Sequence, residues 1–251
     1  TTVLQDVSLP RLSHVSGAAK SLLLRSWEAA NLVNGVDEVW IATDDARIQE
    51  VAERFGARVI MTSSNCRNGT ERCTEALVAA GIKADLIVNF QGDAPLTPPL
   101  AVEALIQSMR EAPGVEVATA MVRCSPVAAD CLRADERAGR SRAITVVFDR
   151  NYDALYFSRS IIPFVPERVA RPPVYLHMGV FGYRRDALMH YPGLEPSIFE
   201  ETEDLEQLRF LDAGVPIRMI EVGAPPGGIW EVNCPTDLVS VEAGLVERHI
   251  H

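Results

Sequence analysis

The chain has 251 residues, 47% of them hydrophobic, and a formal net charge of −10 at neutral pH. That length buries a large core, no apolar run reaches the roughly 18 residues of a transmembrane span, and the acidic balance argues against a nucleic-acid surface, which needs a basic patch. Five scattered cysteines (Cys66, Cys73, Cys124, Cys131 and Cys234) fit a reducing cytosol better than a disulfide framework, and the N-terminus lacks a secretory pattern.

The first two-thirds alternates strand and helix patterns. Residues 38–42 read as a strand, with Thr43-Asp44-Asp45 as turn and cap before a helix over 46–55, where Ile48, Val51, Ala52 and Phe55 recur at helical spacing up to Gly56. A strand over 58–61, a helix over 70–80 closed by Gly81, and a strand over 86–90 follow; Pro98-Pro99 then opens a helix over 100–111. Repeated strand–helix–strand units predict an α/β fold, a doubly wound and mostly parallel sheet with right-handed crossovers. From Val115 the pattern changes. Residues 117–122, 143–148 and 174–181 read as antiparallel strands grafted on the main sheet, followed by helices over 204–213 and 236–247. Residues 159–173, punctuated by proline and arginine, read as a mobile excursion. One intertwined domain over 1–251 is expected, with the inserted antiparallel part at about 115–185.

The most informative stretch is Asn89-Phe90-Gln91-Gly92-Asp93-Ala94-Pro95-Leu96, where an apolar run stops at a glycine and an acid. Ligands of open parallel sheets sit beyond the carboxyl ends of the strands, so Asp93 is aimed at that place, and a carboxylate there suits magnesium. Taken alone, Gly92-Asp93 is also an ordinary turn with Asp93 capping the next helix. Asn68-Gly69-Thr70-Glu71-Arg72 enters a helix, where unpaired amides favour anions; the plainer reading is a capping motif with Thr70 as the cap. In a strand through Tyr156, that residue and Ser158 share one face while Phe157 and Arg159 share the other. Arg159 suits a substrate carboxylate, or is a solvated surface arginine. His177 is a lone histidine in an apolar strand, ordinarily a satisfied structural group. Glu206 and Gln207, adjacent on a helix, reach a pocket only if it faces that helix end. Lys20 and Lys83 are the only lysines, so phosphate binding rests on arginine, backbone amides and metal.

Five motifs carry a family resemblance. Asn68-Gly69-Thr70-Glu71-Arg72, Val88-Asn89-Phe90-Gln91-Gly92-Asp93, Ala154-Leu155-Tyr156-Phe157-Ser158-Arg159, His177-Met178-Gly179-Val180-Phe181-Gly182-Tyr183-Arg184 and Leu205-Glu206-Gln207-Leu208-Arg209 occur in that order. They resemble the motifs of the 3-deoxy-manno-octulosonate cytidylyltransferases, or CMP-KDO synthetases, from about Leu12 to the C-terminus. The resemblance implies a Rossmann-like fold of the nucleotide-diphospho-sugar transferase type, a homodimer, and magnesium-dependent transfer of CMP from CTP to a small anionic acceptor, by default a 2-keto sugar acid, with release of pyrophosphate. It implies Asp93 as the catalytic carboxylate that holds the metal, with Asn233 at the second metal position. Arg11, Asn68, Gly69, Thr70 and Arg72 are implied on the nucleotide, Arg72 against cytosine O2 and N3. Gln91, Tyr156, Ser158, Arg159, His177, Tyr183, Glu206 and Gln207 are implied on the acceptor.

Some residues depart from the family pattern. Thr1 to Leu12 is short or scrambled for the strand and triphosphate loop with which the family opens; missing loop residues are the preferred explanation over divergence, and Arg11 is the surviving phosphate candidate. Ala94 replaces an acid, Thr145 a lysine, and Asn233 an aspartate. An amide oxygen at Asn233 ligates magnesium without adding charge, or its nitrogen donates a hydrogen bond to an anionic acceptor. These departures suggest a specialised relative. They leave open conjugation of CMP to a phosphonate acid such as phosphonoformate, and a nucleotide-binding relative without catalysis.

Overall fold

A computed structural model describes residues 2–5, 11–12, 20–92, 94, 96–139, 143–165, 173–224 and 246–247, with side chains from residue 21 onward. The chain opens with β1 (Thr2–Gln5), two short strands β2 (Arg11–Leu12) and β3 (Lys20–Ser21), and α1 (Leu22–Asn31). Alternating units follow: β4 (Val39–Thr43), α2 (Ala46–Arg54), β5 (Arg58–Met61), α3 (Gly69–Ala79), β6 (Leu86–Phe90), α4 (Pro99–Glu111), β7 (Val117–Arg123) and α5 (Pro126–Arg137). Then come β8 (Thr145–Phe148), β9 (Ala154–Ser158), β10 (Tyr175–Arg184), α6 (Arg185–His190), α7 (Ile198–Glu203), α8 (Leu208–Asp212) and β11 (Ile217–Val222).

The main sheet runs β11-β7-β10-β6-β1-β4-β5, with β8 paired to β10 and β9 to β8. Strands β6, β1, β4 and β5 are parallel, as is β11 to β7. The expected α/β sheet is therefore present, and α2 and α3 are followed by Gly56 and Gly81 at φ +84° and +61°, where a side chain would be strained.

Other expectations are corrected. The first strand is intact: Thr2–Gln5 pairs with β4 on one side and β6 on the other, in the interior of the sheet. The antiparallel strands are not simply grafted on. β10 is an interior strand, antiparallel to both β6 and β7. The helix expected over 204–213 is shorter: Asp204 caps the preceding α7 in a left-handed conformation (φ 54°), and α8 begins only at Leu208. The cap of α3 is Asn68 rather than Thr70, with the Asn68 side chain accepting from the Glu71 amide. Helices α1 and α5 carry weak sequence signals: α1 buries Arg25 and Ser26 among its leucines, and α5 buries only Ala129. Residues 166–172, and 236–247 except its last two, lie outside the described residues.

Side-chain alternation gives the sheet two apolar faces. Helices α1, α2 and α4 cover one, placing Leu23, Ile48, Leu105 and Met109 against Ala118, Ala120 and Val122 of β7 and Met178 and Val180 of β10. Helices α3, α6 and α8 cover the other, placing Leu77, Leu188 and Phe210 against Val117, Met121, Phe181 and Tyr183. Among the described residues, no helix is long and apolar enough to cross a membrane.

Close approach of α4 to β10 depends on Gly182, where an added Cβ would lie 2.5 Å from Met109 Sδ and 3.4 Å from Leu105 Cγ. Met109 is fully buried, so it has no open space to move into. Gly182→Ala should destabilise the fold by about 1–3 kcal/mol in urea unfolding. Combined with Met109→Ala, it should cost less than the sum of the two single changes, because the neighbours share one space.

Candidate active site

A cavity of about 510 Å³ opens where β6, α3, β10 and the α7–α8 turn converge. Gln91, just past the carboxyl end of β6, and Asn68 and Gly69, at the start of α3, form one wall. His177, Gly179 and Phe181 of β10 form another, and the segment from Glu200 to Arg209 closes the site.

The helix start is braced by buried charge. Arg209, 2% exposed, donates from Nε to Glu200 Oε2 (2.7 Å) and from Nη1 to Glu71 Oε1 (3.0 Å), while its guanidinium lies 4.4 Å from the Tyr191 ring centroid. Arg67 Nε donates to the same Glu71 oxygen at 2.9 Å. Glu206 is partly buried, and its Oε2 accepts from the Thr70 amide at 2.9 Å. Burial raises the Glu206 pKa; the amide at the positive end of α3 opposes that rise. Glu206 and Gln207 lie in the turn before α8 and not on its helical face, which corrects the sequence expectation. They still line the cavity, and Gln207 Nε2 is a buried donor without a partner among the described residues.

On the opposite wall, His177 is buried between Phe157 and Phe181, each ring centroid 5.1 Å away. Burial lowers its pKa from 6.5 to about 3, so the ring is neutral at physiological pH.

Arg159 follows β9, and its Nε and Nη2 donate to the carbonyls of Glu203 and Asp204 at 2.6 and 2.9 Å. Those carbonyls hold the guanidinium at the cavity wall. Ser158 Oγ donates to Glu203 Oε1 at 2.7 Å, and Tyr156 also hydrogen-bonds Glu203. Neither residue lines the cavity. Instead they fix the carboxylate that accepts from the Arg159 amide at 2.8 Å. Tyr183 and Thr70 are also set back, buried with their hydroxyls 2.9 Å apart. Thr145 is buried too, its hydroxyl donating to the Ser160 carbonyl.

Arg72 lies away from this cavity, with Nη1 donating to Thr62 Oγ1 at 2.6 Å and 3.4 Å from Asp44 Oδ1, beyond the carboxyl ends of β4 and β5. Of the expected site residues, the structure thus gathers Asn68, Gly69, Gln91, Arg159, His177, Glu206 and Gln207 around one cavity. Asp93 and Asn233 lie outside the described residues, as does the Arg11 side chain. Sequence reasoning did not single out Arg67, Glu203 or the bracing role of Arg209, although Arg209 ends a quoted motif and Arg67 precedes another.

A polar cavity at the carboxyl end of a Rossmann-like sheet, beside a helix N-terminus, defines the nucleotide-diphospho-sugar transferase class of fold and site. The family model described as cytidylyltransferase matches residues 18–218. The chain is 41% identical over 225 residues to 3-deoxy-manno-octulosonate cytidylyltransferase of Maricaulis maris (strain MCS10), covering 90% of this chain and 87% of that one. It is 39% identical to the Escherichia coli protein of the same description, over 91% and 87% of the two chains. A solved structure of CMP:2-keto-3-deoxy-manno-octonic acid synthetase complexed with CTP superposes with a TM-score of 0.81 at 35% identity, covering 99% and 98%. The chain belongs to the cytidylyltransferase family, and it is an enzyme of the nucleotidyltransferase class.

The buried brace makes Arg209→Ala costly. It should lower stability by about 3–5 kcal/mol in urea unfolding, because Glu200 keeps its charge without the partner and Glu71 retains only Arg67. Arg67→Ala removes a side chain that is 54% exposed and should cost under about 1 kcal/mol.

His177 sets a pH dependence. The unfolded chain takes up a proton there below pH 6.5, whereas the folded chain does so only near pH 3. Stability is therefore lost as the pH falls through that window, by up to about 1.4 kcal/mol per pH unit. His177→Gln should flatten that slope by one proton when unfolding free energies are compared between pH 7 and pH 4.5.

Proposed function

We propose that this cytidylyltransferase transfers CMP from CTP to a KDO-like 2-keto sugar acid and releases pyrophosphate. The observation that carries the acceptor reading is the polar inventory of the cavity. Its arginines, Arg67, Arg159 and Arg209, are each paired with carboxylates or carbonyls, and four acids, Glu200, Glu201, Asp204 and Glu206, line the same space. Such a cavity suits a ligand rich in hydroxyls with a single carboxylate. It repels a compact multiply charged phosphonate such as phosphonoformate, which needs an excess of cations.

In this reading Arg159 pairs with the acceptor carboxylate, and His177, Glu206 and Gln207 take its hydroxyls. The acceptor hydroxyl oxygen then forms a bond to the α-phosphorus of CTP, its proton passing to solvent, as the bond from that phosphorus to pyrophosphate breaks. Asn68 and Gly69 place the positive end of α3 beside the reacting phosphate, and Arg72 reads the cytosine from the far side of α3. Magnesium fits the donor set, a carboxylate and an amide oxygen at Asp93 and Asn233. Gly92, the residue before Asp93, is anchored through its carbonyl by Ser26 Oγ at 2.8 Å. When bound, the ion would neutralise charge on the triphosphate. A homodimer is proposed on the resemblance alone.

Pyrophosphate release should require CTP and a 2-keto sugar acid together, and should be absent with phosphonoformate. Release with phosphonoformate but not with the sugar acid would overturn the acceptor reading. Arg72→Ala should weaken CTP by roughly 1.5–3 kcal/mol in calorimetric titration, as expected for a charged hydrogen bond. Asp93→Asn should abolish turnover while leaving the circular dichroism spectrum unchanged.

A further inference from the structure

Strand β10 changes register against β7 between Met178 and Phe181, and Thr119 of β7 sits opposite that irregularity. The Thr119 hydroxyl is fully buried, 2.7 Å from the Val180 carbonyl, 3.3 Å from the Met178 carbonyl and 2.8 Å from His177 Nε2. A hydroxyl has one hydrogen, and carbonyl oxygens only accept. With that hydrogen on the nearer carbonyl, that of Val180 at 2.7 Å, only lone pairs face the imidazole. Nε2 must then carry the ring proton and donate it to Thr119. Nδ1 is left as a bare acceptor, buried and without a partner among the described residues, on a ring that lines the cavity. Phe157 and Phe181 pack against the ring and hold its orientation.

We propose that Thr119 is a positioning residue that fixes His177 as the Nε2–H tautomer, so that the acceptor substrate is selected for a hydrogen-bond donor, a hydroxyl or an amine, at Nδ1. This rests on the reading of the cavity as the acceptor site. It narrows that reading, because the acceptor carboxylate cannot be the group that meets His177. Two lone pairs would face each other there, with the cost of an unmatched buried polar group.

Nitrogen-15 NMR of imidazole-labelled protein, with no substrate added, reads the tautomer. The unsubstituted protein should show a protonated Nε2 and a bare Nδ1, and Thr119→Val should show both tautomers. In pyrophosphate-release kinetics, Thr119→Val should raise the acceptor KM about tenfold, the size of one lost hydrogen bond, with kcat and the CTP KM near their original values; Thr119→Ser should restore it. A purely structural role would disturb CTP and kcat as well and would leave the tautomer alone. Among acceptor analogues each lacking one hydroxyl, one should lose about tenfold in kcat/KM with the unsubstituted enzyme and nothing further with His177→Ala. A protonated Nδ1 in the unsubstituted protein, or an unchanged tautomer and acceptor KM in Thr119→Val, would overturn the proposal, as would the lack of any such analogue. If no sugar acid releases pyrophosphate, the acceptor reading fails, whereas the tautomer, which needs no acceptor, still decides the role of Thr119.

Discussion

The site depends above all on the buried bridge from Glu71 through Arg209 to Glu200. It joins the first turn of α3 to α7 and α8, elements more than a hundred residues apart in the chain, and its three members are nearly shielded from water. Stripping water from three charges is costly, and only a forked cation meeting two carboxylates, with an aromatic face beneath, recovers that cost. The geometry is therefore narrow. Because Glu206 and Gln207 lie in the turn leading into α8, fixing Arg209 also fixes them. The same brace holds the start of α3 against them, so the α3 wall and the closing segment share one anchor.

Around that anchor, much of the polar chemistry near the cavity supports other groups and leaves ligand contact to a few atoms. Tyr156 and Ser158 grip Glu203, which meets the Arg159 amide; Tyr183 supports Thr70, whose amide meets Glu206. Two buried polar atoms of residues that line the cavity, Gln207 Nε2 and His177 Nδ1, have no partner among the described residues. In a native fold such atoms are paired by a ligand or by water. Asn89, buried on β6 two residues before Gln91, also has both amide atoms without a partner among the described residues.

Strands β5 and β6 were legible because short apolar runs stop at turn residues, and α2 because Ile48 and Ala52 repeat at helical spacing and Gly56 follows. The interior place of β10 was not, since nothing in Tyr175–Arg184 encodes pairing with Leu86–Phe90, nearly ninety residues earlier. Local pattern also misplaced the boundary at Asp204, a non-glycine residue at positive φ whose carbonyl accepts from Arg159. In the site, motif order led to His177, Arg159, Glu206 and Gln207. It did not separate lining residues from supporting ones: Tyr156, Ser158 and Tyr183 share motifs with them, and their distinction lies in which way the backbone turns each side chain. Glu203, to which two of these bind, carries no local sequence signal at all.

The interior position of β10 bears on how the protein is made. Chains emerge N-terminus first, so β6 and β7 leave the ribosome well before the strand that must lie between them. Until Tyr175–Arg184 is available, β6 is paired with β1 on one side and presents an open edge on the other. Open edges invite pairing with foreign strands, and contacts between distant segments form slowly. The cavity walls supplied by residues 200–209 arrive later still. The cavity is thus assembled only once residues 200–209 have been made, and a nascent chain that stalls before β10 leaves a sheet divided at its middle.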